Sequence, residues 1–187
     1  MSSIIKVNTY QDANGNALFS SDGSGNLTGT NKLGITMADM WRLTANNSIT
    51  GGVNTVMTSN WEQVDTNNFS NIGSSMTQSS GDFTFPETGI YLVNWCSQVN
   101  GPSQGATYAG GKIFTTTDNS TYTVSSEAYN NIYHPNGWTR GLSSHIFNVT
   151  NTTTHKVRFI GICEFNANVM GNTSITLSYA QFIRLGA

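Results

Sequence analysis

The clearest alternation of apolar and polar positions lies in residues 81–95. Phe83 and Phe85 alternate with polar neighbours, which predicts a short strand with one buried face. Pro86 and Gly89 predict a corner directly after it, because proline cannot continue a strand ladder and glycine tolerates the backbone angles of a bend. A second, longer strand follows this corner.

The second strand carries apolar side chains on both of its faces. Tyr91, Val93 and Trp95 share one face, and Ile90 and Leu92 share the other. A strand that is apolar on both faces must be covered on both faces. In a small all-β protein the second cover is often another subunit, so this strand predicts an oligomer.

Similar short apolar or alternating runs recur from residue 37 onwards, separated by clusters of turn-forming residues. They amount to about nine or ten strands at spacings of about eight to fifteen residues, and no run predicts a helix longer than two turns. This pattern is typical of an all-β sandwich or barrel. The predicted strands lie at 37–44, 53–57, 61–64, 83–85, 90–95, 107–117, 121–125, 142–149, 157–163 and 174–185.

Residues 1–36 form a segment of a different kind. Ile4, Ile5 and Val7 predict one short apolar strand, and two runs dense in turn-forming residues follow it. The segment has too few apolar groups to fold alone. We therefore predict an extended N-terminal arm, either an attachment arm or a frayed terminus, followed by one domain over 37–187.

The composition narrows the possible partners. Only 10% of residues are charged, against about 25% in an average soluble protein. The formal net charge is −2 and no basic run occurs, which argues against a nucleic-acid partner and against a basic membrane-binding patch. No stretch approaches the ~20 apolar residues of a membrane span, so no membrane insertion is expected. The N-terminus lacks the apolar region of a signal peptide, which predicts a protein that is not exported.

No local motif for catalysis or for a cofactor is visible. His134, His145 and His155 lack the spacing of paired metal ligands, and the ten carboxylates are scattered. A nucleophile with its base cannot be assembled from any local pattern. We therefore expect no enzyme, no cofactor and no metal site.

Residues 129–138 predict the longest loop that carries large side chains. Tyr133, His134, Trp138 and, just after the loop, Arg140 form the candidate contact with a host surface glycan or protein. Aromatic planes stack on sugar faces, and imidazole and amide groups supply directional hydrogen bonds. The alternative is that Tyr133 and Trp138 pack beneath the loop and hold it in place.

The corner after Phe83 belongs to a longer pattern. Five residues separate Phe83 from Gly89, and Gly89 and Tyr91 form a Gly-x-Tyr run at the start of an alternating apolar strand. With Asn71 upstream, this pattern resembles the jelly roll shared by the globular head of the complement first component and the tumour necrosis factors. The resemblance covers roughly residues 37–187.

This resemblance implies a two-sheet antiparallel jelly-roll sandwich of about ten strands, assembled as a tight homotrimer. Met76 and Asp65 depart from the pattern, since the family has aromatic residues at those positions. The last predicted strand is also apolar on both faces, which supports the trimer. The predicted trimer interface consists of Tyr91, Val93, Trp95, Leu177 and Tyr179.

The resemblance also bears on the two cysteines. If the sheets follow the family order, Cys96 and Cys163 lie in opposite sheets about 10 Å apart. That separation is too large for a disulfide.

The N-terminal arm is similar to the opening of bacteriophage fibre and virion-appendage proteins, on the segments 4–9 and 21–28. Such proteins often end in trimeric jelly rolls. The similarity implies a non-enzymatic, homotrimeric virion structural protein of a bacteriophage, assembled in the host cytoplasm. In this interpretation Ile4, Ile5 and Val7 dock on other virion proteins.

Two roles on the particle stay open. The first is a fibre or receptor-binding protein, which the loop aromatics favour. The second is a capsid decoration (cement) protein that stabilises the head, which the short chain favours because fibres generally need a long shaft. A soluble cellular ligand of the necrosis-factor type is a third possibility, which the missing export signal disfavours.

Overall fold

The structure, a computed structural model, describes residues 9–28 and 34–186. The described residues form sixteen strands and no helix. The chain divides into two compact units, Met1–Thr36 and Met37–Ala187. Ile4, Ile5 and Val7, the predicted docking residues, lie outside the described residues.

The described part of the N-terminal unit is a three-stranded antiparallel sheet. It consists of β1 (Thr9–Gln11), β2 (Ala17–Ser21) and β3 (Leu27–Thr28). The rings of Tyr10 and Phe19 stack across the β1–β2 pair with centroids 4.4 Å apart. Residues 9–28 are therefore a folded meander where the sequence predicted an extended segment.

Two turns of the same construction close this small sheet. The Asp12 carboxylate accepts hydrogen bonds from two backbone amides, both at 2.9 Å, and from the side chain of Asn16. The Asp22 carboxylate does the same with two backbone amides and the side chain of Asn26. Such side-chain to backbone bonds stabilise tight turns. The runs of turn-forming residues are thus hairpin connections.

The second unit is a sandwich of two sheets in which every strand pair is antiparallel. We call the first the β10 sheet. Its members are β4 (Ala38–Leu43), β5 (Asn47–Ile49), β7 (Trp61–Gln63), β10 (Gly89–Asn100), β13 (Trp138–Val149), β15 (Ala167–Val169) and β16 (Tyr179–Gly186).

The other sheet, the β11 sheet, packs against it. Its members are β6 (Thr55–Val56), β8 (Thr77–Ser79), β9 (Asp82–Thr84), β11 (Ala106–Thr116), β12 (Thr123–Ile132) and β14 (Lys156–Cys163). The chain passes between the two sheets eight times: from β5 to β6, β6 to β7, β7 to β8, β9 to β10, β10 to β11, β12 to β13, β13 to β14 and β14 to β15. This is the predicted two-sheet jelly roll, and the prediction of fold class is confirmed.

Strand β10 is the centre of its sheet. It pairs with β13 along its whole length, from Gly89 opposite Val149 to Asn100 opposite Trp138. On its other edge it pairs with β16 and then with β15. The corner before β10 has the predicted glycine: Gly89 has a φ of 144°, and an added Cβ would lie 2.5 Å from the carbonyl oxygen of Gly186. Only glycine fits there.

The core lies between the two sheets and is rich in aromatic rings. Phe159 from the β11 sheet lies 5.2 Å, centroid to centroid, from both Trp95 and Phe83, and 5.9 Å from Phe182. Aromatic pairs at these distances and tilts contribute beyond the area they bury.

Three predicted trimer-interface residues belong to this core. Tyr91, Val93 and Trp95 are each 0% exposed within a single chain, because the β11 sheet covers their face of β10. Their assignment to the trimer interface is therefore wrong. The face that a partner can reach is the opposite one, which carries Ile90 and Leu92.

Several predicted boundaries shift, and two of the shifts bear on the predicted sites. The last strand begins at Tyr179 rather than at residue 174, because the Asn172 carboxamide accepts hydrogen bonds from the amides of Ser174 and Ile175 and holds a turn there. The predicted loop at 129–138 shortens to 133–137, since β12 continues to Ile132.

Cys96 on β10 and Cys163 on β14 lie in opposite sheets, and both are free and buried. Burial raises the pKa of both thiols.

Candidate functional site

Four loops meet at one end of the sandwich, which we call the loop end: residues 50–52, 101–105, 133–137 and 164–166. The amide of Asn136 donates a hydrogen bond of 2.9 Å to the carbonyl of Pro102, and the amide of Gly101 donates one of 2.8 Å to the carbonyl of Gly137. The amide of Gly51 donates to the Asn166 carboxamide oxygen at 2.9 Å. These bonds tie the loops together in pairs.

Two clefts adjoin each other at the loop end. One, of about 500 Å³, is lined by Gly51, Pro102 and Asn166 among others, and the second, of about 380 Å³, is lined by Ala106 and Tyr133 among others. Three side chains line both clefts: Gln104, Glu164 and Phe165. The ridge at Glu164 and Phe165 is therefore the centre of the concave surface.

A third cleft, of about 450 Å³, opens beside the first and is rich in carboxamides. Its lining includes Asn100, Asn136, Asn166 and Asn168. Asn166 belongs to both this cleft and the first one. Carboxamides offer a donor and an acceptor at once, which suits ligands that carry hydroxyl groups.

The structure exposes the two predicted loop aromatics. Tyr133 is 84% exposed and Trp138 is 68% exposed. The alternative that these rings pack beneath the loop is therefore wrong. His134 is also exposed, and its carbonyl accepts the amide of Gly137 at 3.0 Å, which closes the tight turn of the loop.

The four predicted loop residues do not form one site. Tyr133 and His134 lie at the loop end, and Tyr133 lines the 380 Å³ cleft. Trp138 and Arg140 lie on the first residues of β13, beside Asn100 and Gln98 of β10. The Arg140 guanidinium donates hydrogen bonds to the Gln98 side chain and to the carbonyl of Leu177.

The sequence did not point to Glu164, Phe165 and Asn166. They follow the last residue of β14 and form a bend, which local pattern assigns to a plain loop. The sequence did offer one indication of a site here: Glu164 is a carboxylate directly before an aromatic residue, in a chain with few charged residues. Phe165 is 37% exposed although it is a large apolar residue.

Glu164 is held in place by Thr107. One carboxylate oxygen, Oε2, accepts the backbone amide of Thr107 at 2.6 Å and its hydroxyl at 2.8 Å. Hydrogen bonds from the amide and then the hydroxyl lower the pKa of Glu164. The side chain is therefore a fixed and ionised acceptor at the edge of both clefts.

A second candidate surface is the face of the β10 sheet that points away from the core, which we call the outer face. Leu92 lies opposite Ile146 on one side and opposite Ile183 on the other, which makes an apolar row across three strands. Cys96 likewise lies between Leu142 and Tyr179. Ile146 is 62% exposed and Leu142 is 57% exposed in the single chain.

Polar rows alternate with the apolar rows on the outer face. Asn94 lies between Ser144 and Gln181. Its amide donates to the Gln181 side chain at 3.2 Å, and its oxygen accepts the hydroxyl of Ser144. The next row joins Arg140 to Gln98. These polar side chains bond to each other, which reduces the number of hydrogen bonds that a partner covering the face has to supply.

Two of the predicted interface residues lie at this face. Tyr179 is half-buried in the row with Cys96, and burial raises the pKa of its hydroxyl. Leu177 is half-buried just before β16, where its carbonyl accepts Arg140. Both side chains can therefore still contact a partner chain, unlike the three core residues of β10.

The described residues contain no group of three or more His, Cys, Asp or Glu side chains placed to hold a metal ion. Within 9–28 and 34–186, no helix is long and apolar enough to cross a membrane.

No protein-family model and no curated protein matches this chain. Solved structures do. The Eiger TNF of S. frugiperda matches with a TM-score of 0.60 and 11% identity, over 81% of this chain and 94% of that one. Murine APRIL at pH 5.0 matches with a TM-score of 0.54 and 10% identity, over 80% and 98% of the two chains.

Vertex protein P5 of PRD1 matches as well, with a TM-score of 0.50 and 14% identity, over 82% of this chain and 99% of that one. At such identities the likeness shows the fold alone. The chain has the jelly roll of the TNF-like proteins. The resemblance indicated by Phe83, Gly89 and Tyr91 is thereby confirmed for the fold.

Proposed function

We propose that this chain is a non-enzymatic, homotrimeric structural protein of a bacteriophage virion, and that it acts there as a fibre or receptor-binding protein. The observation that carries the receptor-binding role is the exposed ring of Tyr133 beside the clefts of the loop end. An aromatic side chain in this position is a typical anchor for a ligand, because it offers a large rigid contact area.

The outer face of the β10 sheet supports the homotrimer. It presents two apolar rows, one centred on Leu92 and one on the buried Cys96, in which Ile146 and Leu142 are exposed in the single chain, and the other face of the sheet is the core. Exposed apolar rows framed by polar rows are typical of a protein interface. The polar rows bond largely among themselves, so that burial against second and third copies of the chain leaves few of these groups unpaired. Cyclic assembly of identical chains is the common solution for such a surface.

The proposed interface therefore consists of outer-face residues. Leu177 and Tyr179 stay in it from the original prediction, and Leu92, Leu142, Ile146 and Ile183 replace the three core residues of β10.

The N-terminal arm, residues 1–36, is proposed to dock the trimer on other virion proteins through Ile4, Ile5 and Val7. The loop end of the jelly roll, residues 37–187, is proposed to carry the contact with the host. Tyr133 and His134, with Trp138 and Arg140 at the neighbouring edge, are proposed to meet a glycan or a protein of the host surface. Two compact units of unlike size suit this division of roles.

The alternative is a capsid decoration protein that stabilises the head. It is favoured by the name of one structural relative, a vertex protein of phage PRD1, since a vertex belongs to the capsid. Both roles share the trimer and the location on the particle. They differ in how many copies a particle carries.

Copy number therefore tests the proposal. Purified particles are digested, and peptides of this chain are quantified by mass spectrometry against isotope-labelled standards and a major capsid protein. A fibre or receptor-binding protein is expected at a few dozen copies per particle at most. Hundreds of copies would establish the decoration role instead. Absence from purified particles, with the chain abundant in the infected cell, would contradict a virion protein of either kind.

A further inference from the structure

We propose that the ridge formed by Glu164, Phe165 and Asn166, together with Tyr133, is a binding site for an uncharged sugar. The inference rests on the proposed receptor-binding role and names the ligand class and the residues. It moves the centre of the site away from Trp138 and Arg140, to residues that no sequence motif indicated.

Two aromatic rings supply the apolar part of the site. Phe165 lines both clefts and Tyr133 lines the smaller of the two. Exposed rings beside a concave surface offer flat apolar areas on which the carbon-bound hydrogens of a sugar ring can pack. Ligand sites combine such rings with a few placed polar groups.

The placed polar groups are Glu164 and Asn166. In each side chain, one of the two terminal polar atoms is held by hydrogen bonds from the protein. Both hydrogen bonds to Glu164 go to Oε2, from Thr107. The Asn166 oxygen accepts the amide of Gly51. Among the described residues, nothing bonds to Glu164 Oε1 or to Asn166 Nδ2. A fixed acceptor and a fixed donor thus flank Phe165.

A sugar suits this pair because each hydroxyl group is both a donor and an acceptor. One hydroxyl can donate to Glu164 Oε1 while a neighbouring hydroxyl accepts from Asn166 Nδ2. Since Thr107 and Gly51 already hold the two side chains, little conformational entropy is lost when the ligand binds.

Charge selects against an acidic ligand. Among the described residues that line the three clefts, Glu164 is the only charged one, and no Lys or Arg is present. An anionic sugar would meet the Glu164 carboxylate without a cation to balance it, which costs affinity. The ligand class is therefore a neutral hexose or N-acetylhexosamine.

Saturation-transfer NMR on the full-length protein tests this site. The probes are glucose, galactose and N-acetylglucosamine, with N-acetylneuraminic acid and glucuronic acid as acidic comparisons. At least one neutral sugar is expected to bind saturably, and neither acid is expected to compete with it. Binding of the acids in preference to the neutral sugars would overturn the assignment.

Variants locate the site. Phe165→Ala and Tyr133→Ala are each expected to weaken the neutral sugar at least tenfold. Glu164→Gln keeps an oxygen for Thr107 but turns the free acceptor into a donor, and the same loss is expected. Val124→Ala is the control, because Val124 is an exposed apolar residue on β12 that lines none of the three clefts, and this variant should bind as the wild type does. Circular dichroism and native mass confirm that each variant folds and assembles as the wild type does.

The outcomes separate the site from the proposed function. Equal binding by all four variants and the wild type would overturn the site. No binding of any neutral sugar, with the chain still found on particles at receptor-protein copy number, would overturn the sugar class and leave the virion role standing. Absence from particles contradicts the virion role, whatever the sugars do.

Discussion

The indole nitrogen of Trp95 on β10 donates a hydrogen bond of 3.0 Å to the carbonyl oxygen of Ile160 on β14. This bond crosses the core and joins the two sheets directly. Both residues are buried, with Trp95 0% exposed and Ile160 1% exposed. The rings of Trp61 and Phe159 pack on the same indole at centroid distances of 5.5 and 5.2 Å. Trp95 is thus the central side chain of the sandwich.

Trp95→Phe is expected to lower the free energy of unfolding by about 2–4 kcal/mol, because it leaves a cavity and removes the partner of a buried carbonyl. Urea unfolding at one fixed protein concentration measures it. Trp138→Phe makes the same chemical change at an exposed position, and a change below about 0.5 kcal/mol is expected. Equal effects at the two positions would contradict the placement of Trp95 in the core.

Gly111 on β11 leaves the space that Trp95 fills. A Cβ at Gly111 would lie 2.3 Å from the Trp95 indole nitrogen and 2.7 Å from the Ser97 hydroxyl oxygen. Gly111→Ala is therefore expected to cost about 2 kcal/mol or more, since overpacking forces a well-packed core to shift. Thermal unfolding shows this as a lower Tm. At Gly186 nothing lies within 4 Å of an added Cβ, and Gly186→Ala should leave the Tm nearly unchanged.

Asp82 links stability to pH. Its carboxylate accepts hydrogen bonds from the Arg158 guanidinium and, at 2.8 Å, from the Tyr122 hydroxyl. Burial raises the pKa of Asp82, but the bonds from Arg158 and Tyr122 outweigh it and hold the pKa below its usual value. Ionised Asp82 therefore stabilises the folded state fully when the pH is above the pKa of an aspartate in the unfolded chain. This contribution is lost as the pH falls through the lowered pKa of Asp82 in the folded state.

Asp82→Asn is expected to cost about 1 kcal/mol at neutral pH, because a neutral carboxamide replaces a charged acceptor. Between about pH 5 and pH 2.5 the wild type should lose more stability than the variant, so that the two curves converge. Urea unfolding across this range measures the difference. Parallel curves would show that Asp82 does not carry this dependence.

A substitution at Ile146 tests whether the outer face is the trimer interface. Ile146→Asp puts a charge into the apolar row with Leu92, and a charge cannot be buried there without a partner. The variant is expected to be monomeric and folded, since Ile146 does not enter the core. Val53→Asp is the matched control, because Val53 is 51% exposed and lies outside that face. Size-exclusion chromatography with light scattering distinguishes the two. A trimeric Ile146→Asp variant would place the interface elsewhere.

Alternation along the chain predicted most of the longer strands and an all-β sandwich or barrel, and the resemblance at Phe83, Gly89 and Tyr91 added the jelly roll. The short strands β5, β8 and β15 were not predicted, and neither was the face of β10 that forms the core. Both faces are apolar, and side-chain size alone did not decide between them. The polar Asn94 was the available signal. It lies on the face with Leu92, whereas Tyr91, Val93 and Trp95 have no polar residue among them.

The candidate site was harder to predict for a different reason. Its side chains come from four separate loops, and the pairing of Glu164 with Thr107 and of Asn166 with Gly51 exists only once the sheets have formed. Local pattern singled out Tyr133, because a tyrosine in a polar loop is conspicuous, and this ring is exposed in the structure. Local pattern could not place Trp138 on a different surface, since that depends on where β13 begins.

The mass of the full-length chain in solution tests the trimer most directly. Native mass spectrometry or sedimentation velocity at micromolar concentration should give a single species of three times the 20.2 kDa of one chain. A monodisperse monomer under these conditions would contradict assembly through the outer face.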